Sequence, residues 1–128
     1  MSYHFTKTVR GTMDEVRERV TAALAARGFG VLTTIDVAAT MKKKLGIAFR
    51  PYVILGACNP EFAHRALELE DKIGTMLPCN VILQEKAKGE VEVSAVDPAA
   101  SMAAIANPGL DVVAEEVRTR LRQMVEGL

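Results

Sequence analysis

The chain has 128 residues, of which 49% are apolar and 25% charged. That length fits one domain, residues 1–128, with a core of its own, and the composition is that of a globular protein. Sixteen Lys and Arg balance sixteen Asp and Glu, and the 5% of aromatics include no Trp, so neither a long-range field nor a base-stacking platform points to nucleic acid.

The opening stretch MSYHFTKTVRG holds no apolar segment of signal-peptide length. The longest apolar runs, such as YVILGAC, are too short to span a bilayer. A cytoplasmic protein with no membrane partner is expected. Two cysteines in a reducing compartment are expected as thiols, not as a structural disulfide.

YHFTKTV (3–9) is rich in strand formers. Tyr3, Phe5 and Val9 fall on one face, interrupted by Lys7, with His4, Thr6 and Thr8 on the other. Gly11 breaks the strand. Thr12 and Glu15 then form a capping box, and Met13, Val16, Val20 and Leu24 share one helical face that ends at Gly28. FGVLTTIDV (29–37) reads as a second strand. A short helix follows, capped by Asp36, ended by Gly46 and carrying Lys42, Lys43 and Lys44. Three lysines on a short helix read as a solvated face.

RPYVILGAC (50–58) is a third strand, apolar enough to be central. NPEFAHRALELEDKIG is a helix with Asn59 as cap, Pro60 at its first position and Gly74 at its end. CNVILQEKA and EVEVSAVD flank Lys88-Gly89 as a hairpin. Asp97-Pro98 opens a short helix over AASMAAIA. Asn107-Pro108 opens the last one, with Leu110, Val113, Val117, Leu121 and Met124 inward to about Glu126. This order predicts an α+β domain: a mixed, mainly antiparallel sheet with helices packed on one face. The first strand-to-helix turn, VRGT, has no glycine fingerprint for a nucleotide.

The stretches LGIAFRPYVILGACNPEFAHRALELEDKIGTMLPCNVILQEK and VSAVDP resemble the domain of unknown function 302 family. The likeness lies in the order of the pieces: a KLG turn, a strand ending in Gly-x-x-Asn-Pro, a helix with Ala63 and Ala66, a Leu-Pro-led strand and a strand ending in Asp-Pro. The resemblance implies a compact α+β domain of TATA-box-binding-protein-like topology, and a homodimer. It implies no established activity, and the fold label does not bring DNA binding with it.

Cys58 is expected at the end of a strand and the start of a helix, where peptide N–H groups lower a thiol pKa from about 8.5 toward about 7. Cys79 begins the following strand. The two meet only if those strands run antiparallel. Together they would suit zinc or copper, with His64 as a third ligand. A redox disulfide, worth about 3 kcal/mol of loop closure, is another use. A small ligand held by Cys58, Asn59, Cys79 and Asn80, with Arg50 lining the pocket, is a third. Cysteine also packs as a small hydrophobe. The reading is a non-enzymatic small-ligand or soft-metal-binding protein centred on the two Cys-Asn segments. The alternatives are a thiol-based redox enzyme, and a structural or regulatory interaction module with packing cysteines.

Overall fold

A computed structural model describes residues 2–128. The elements are β1 (His4–Arg10), α1 (Met13–Ala25), β2 (Gly30–Asp36), α2 (Val37–Leu45), β3 (Tyr52–Cys58), α3 (Pro60–Leu69), a 3-10 turn (Ile73–Met76), β4 (Cys79–Ala87), β5 (Glu90–Val96), α4 (Pro98–Ser101) and α5 (Pro108–Glu126). The five strands form one sheet in the order β1-β5-β4-β3-β2. Every neighbouring pair is antiparallel. The fold is α+β, as the element order implies.

Alternation along the strands divides the sheet into two faces. Val9, Leu55, Ala57, Val81, Leu83, Val91, Val93 and Ala95 are buried on one of them. They join Val16, Val20 and Leu24 of α1 and Leu110, Val113, Val117 and Leu121 of α5 in a single core. Lys7, which interrupts the apolar face of β1, donates to the carbonyls of Glu126 and Leu128 at the end of α5. Its charge sits where the helix leaves unpaired carbonyls, so the break in the pattern has an electrostatic reason. The other face carries His4, Thr6, Tyr52, Asn80, Ile82, Gln84, Glu92 and Ser94, and none of the elements α1, α3 or α5 covers it.

The capping signals hold. Thr12 and Glu15 make their reciprocal box, and Asp36, Asn59, Asp97 and Asn107 each accept a backbone N–H at a helix start. Gly89 turns the β4–β5 hairpin at φ 78, a conformation that costs other residues more. Three elements differ from the sequence reading. The third strand starts at Tyr52, leaving Arg50 and Pro51 outside it, and lies one place in from the edge, with β4 in the middle. Helix α3 stops at Leu69, five residues before Gly74, where the Asn107 side chain takes the Leu69 carbonyl and Glu70 turns extended. That contact joins residues far apart in sequence, so no local signal marks it. The helix after Asp97 is one turn, Pro98–Ser101.

Gly56 sits where β2 and the Leu77-Pro78 segment crowd β3. A Cβ there would run into the Thr33 hydroxyl and come within 2.7 Å of Pro78 Cγ. Gly56→Ala is expected to cost about 1–3 kcal/mol, read from the urea midpoint. Gly30→Ala on the edge strand, where a Cβ meets nothing within 4 Å, should leave the midpoint nearly unchanged.

Candidate functional site

The antiparallel pairing of β3 and β4 sets Ala57 opposite Cys79. Cys58, the next residue, therefore ends at the same end of the sheet. Cys79 is buried and Cys58 half-buried. Both line an apolar cavity of about 30 Å³ walled by Phe29, Phe62, Leu77, Met102 and Val117. That space is of the order of one or two water molecules and is far too small for an organic ligand.

Asn59 caps α3 by accepting the Phe62 N–H at 3.1 Å. The helix start is thus where the sequence placed it, but the Cys58 thiol is not acidified. Burial pushes the Cys58 pKa up. Burial, and then the neighbouring Cys58 charge, push Cys79 up to about 11. Desolvation outweighs the helix end, because the apolar walls give a thiolate no hydrogen bonds. His64 does not join the cysteines. It pairs with Glu68 at 3.2 Å on the outer face of α3, its side chain 75% exposed. Among the described residues no group of three or more His, Cys, Asp or Glu is placed to hold a metal, so the set Cys58, Cys79 and His64 is not assembled.

Asn80 and Arg50 lie elsewhere. Asn80 is exposed and projects from the uncovered face of the sheet, opposite Gly56. There it helps line an open groove of about 410 Å³ with His4, Tyr52, Ile82, Gln84, Ser94 and the carboxylate-bearing Glu92. Arg50 borders this groove, its Nε donating to Gln84 Oε1 at 2.8 Å. Gln84 Nε2 in turn donates to Glu92 at 3.3 Å, and Glu92 is paired with Lys86 at 3.0 Å. The Arg50 guanidinium also stacks 4.6 Å from the Phe49 ring centre and 5.7 Å from that of Tyr52. On the far side, Thr6 Oγ1 joins His4 Nδ1 at 2.6 Å and Ser94 Oγ at 2.8 Å.

A family model described as "Domain of unknown function DUF302" matches residues 5–128. The chain belongs to the DUF302 family. A crystal structure of an uncharacterized conserved DUF302 protein from Bacillus stearothermophilus is similar, with a TM-score of 0.90 and 30% identity over 98% of each chain. No curated protein matches. In this DUF302 chain, no helix among the described residues is long and apolar enough to cross a membrane.

The sequence reading grouped Cys58, Asn59, Cys79, Asn80 and Arg50 as one ligand site. The DUF302 fold splits that group: Cys58, Asn59 and Cys79 line the cavity, Asn80 lines the groove, and Arg50 reaches the groove only through its bond to Gln84. Gln84, Glu92 and Ser94 were missed. Their signal was present: polar residues fall at alternate positions of β4 and β5, and the Gly89 turn sets the two strands in register.

The raised thiol pKa has a pH consequence. Unfolded Cys79 titrates near the ordinary 9.0 and the folded residue near about 11. Between those values the unfolded chain binds fewer protons than the folded one, so this contribution to stability is whole below the lower value and is lost as pH rises. Urea midpoints measured from about pH 8 to about pH 11 should fall, and Cys79→Ala should flatten that slope. At pH 7 the buried thiol is held in its neutral form. Iodoacetamide should therefore label Cys58 slowly, and Cys79 only on unfolding.

Proposed function

We propose that this DUF302 protein is a non-enzymatic binding protein for a small organic anion, and that the ligand sits in the groove on the uncovered sheet face. The observation that carries this reading is Arg50. Its Nε is held by Gln84, and its guanidinium lies over the rings of Phe49 and Tyr52. Among the described residues the rest of the guanidinium has no acidic partner. A pre-oriented cation with unused donors at the rim of a ligand-sized groove suits a carboxylate. Ile82 and Tyr52 offer apolar area to the remainder of such a molecule. The raised thiol pKa values count against the redox-enzyme alternative. Two unpaired thiols fit a cytoplasmic location.

Amide chemical shifts of labelled protein, followed during a screen of small carboxylates, test this. Binders should move Asn80, Gln84 and Ser94, and Arg50→Ala should weaken them by about tenfold or more. Binders that shift only the cysteine end, or none across the screen, would sink the reading.

A homodimer is the second element of the proposal. Strand β2 is an edge strand exposed along most of its length, and α2 beside it buries no residue. Leu32, Ile35, Leu45 and Ile47 are all exposed there, at 46–67%. An apolar edge of this kind invites pairing. Two copies joined antiparallel along β2 would extend the sheet across a two-fold axis and cover the same patch on both. Light scattering after gel filtration should give a dimer mass, and the double variant Leu32→Asp, Ile35→Asp a monomer that keeps its circular dichroism. A monomeric parent rejects the dimer and leaves the groove untouched.

A further inference from the structure

The groove on the uncovered sheet face has a second polar end, away from Arg50. On the groove reading above, we propose that His4 is a second recognition residue of that site and that the anion is an elongated dicarboxylate. His4 acts as a neutral imidazole, held with its proton on Nε2 by the hydroxyls of Thr6 and Ser94, and donates to the far carboxylate.

A chain of hydroxyls fixes the imidazole. Thr6 stands opposite Ser94 across β1 and β5. Thr6 Oγ1 lies 2.6 Å from His4 Nδ1 and 2.8 Å from Ser94 Oγ. Each bond can run in either direction. If His4 Nδ1 donated to Thr6, and Thr6 to Ser94, the Ser94 proton would need an acceptor. Ser94 is 9% exposed, and among the described residues its hydroxyl meets no partner but Thr6. Leaving a buried donor unpaired is costly, so Ser94 donates to Thr6. Thr6 then either donates to Nδ1 or accepts there as well and turns its own proton to solvent. A neutral histidine side chain prefers its proton on Nε2, which decides between the two. Nδ1 accepts from Thr6, and Nε2–H is the donor left for a ligand.

The register sets this donor far from Arg50. His4 pairs with Val96 of β5, and Glu92 of the same strand pairs with Gln84, the residue that holds Arg50. Two strand spacings across and four residues along put the α-carbons of His4 and Gln84 about 16 Å apart. Donors so separated suit the two ends of one long molecule. Ile82 lies in the row between them, paired with Ser94, and offers apolar surface to a hydrocarbon spacer. Tyr3 packs edge-on against the His4 ring at 4.8 Å and restricts it further. Glu92, the acidic member of the lining, does not stand free. It accepts from Gln84 Nε2 at 3.3 Å, and Lys86 balances its charge at 3.0 Å.

Two measurements on the full chain test this. The first needs no ligand. Long-range nitrogen-15 to proton spectra of the imidazoles, assigned with His4→Ala, should show His4 protonated on Nε2 and bare on Nδ1. Thr6→Val should weaken that bias. A proton held mainly on Nδ1 overturns the proposal. The second is calorimetric titration with each diacid from glutarate to sebacate, beside the monoacid of the same length. The best diacid should bind the parent about tenfold more tightly than its monoacid. His4→Ala should bring that ratio to about one, and Thr6→Val should lower it. Equal affinities in the parent, or a ratio that survives His4→Ala, would overturn the role of His4 and leave the groove reading standing. Binding of no acid in either series would sink the groove reading and this one with it.

Discussion

The register of β4 governs both faces of the molecule. This strand is the middle one, and its pairings set Leu83 opposite both Val53 and Val93, and Val81 opposite Leu55 and Ala95. The side-chain period of a strand is two, so a slip of one residue would turn Val81 and Leu83 outward and bring Asn80, Ile82 and Gln84 into the core. Exposing those two buried side chains alone would cost roughly 3–6 kcal/mol. That is a large part of the total stability of a domain, about 5–15 kcal/mol. Desolvating Asn80 and Gln84 against α1 and α5 would add to it. The same register that protects the core therefore lines up the polar groups of the groove and brings the two cysteines to one end.

At that end two effects oppose each other. Asn59 and Pro60 start α3, and the exposed N–H groups of a helix start favour an anion. The walls around the sulfurs are apolar, and removal from water favours the neutral thiol. For the protonated protein burial prevails, and Cys79 is driven furthest because it lies deepest. A thiol in this state is a poor nucleophile and a poor redox partner.

The uncovered face has a different character. Its polar groups are satisfied mainly by one another, through Arg50, Gln84, Glu92 and Lys86 on one side and His4, Thr6 and Ser94 on the other. Among the described residues no buried side-chain nitrogen or oxygen lacks a partner. Chains of this kind hold side chains in place before anything binds, which reduces the ordering cost of binding. Arg50 is the charged member with donors to spare. It comes from the irregular segment between α2 and β3, where Phe49 and Tyr52 fix its orientation by contact with the guanidinium plane.

Local rules were enough to determine much of this protein from its sequence. Caps and prolines at Thr12, Asp36, Asn59, Asp97 and Asn107 marked the helix starts, because each depends only on a side chain reaching its own backbone. Periodicity assigned Val16, Val20 and Leu24, and the inner face of α5, to the core. The Cys-Asn-Pro junction identified Cys58 as the residue before a helix. What only the tertiary structure decided depends on contacts between segments remote in sequence. The end of α3 is set by Asn107, the inward Lys7 by the last turn of α5, and the thiol pKa values by walls drawn from β3, β4, α3 and α5. The separation of Asn80 from Cys79 has the same origin. Neighbouring residues of a strand point to opposite faces, and the packing of α1 and α5 determined which face became core and which became groove.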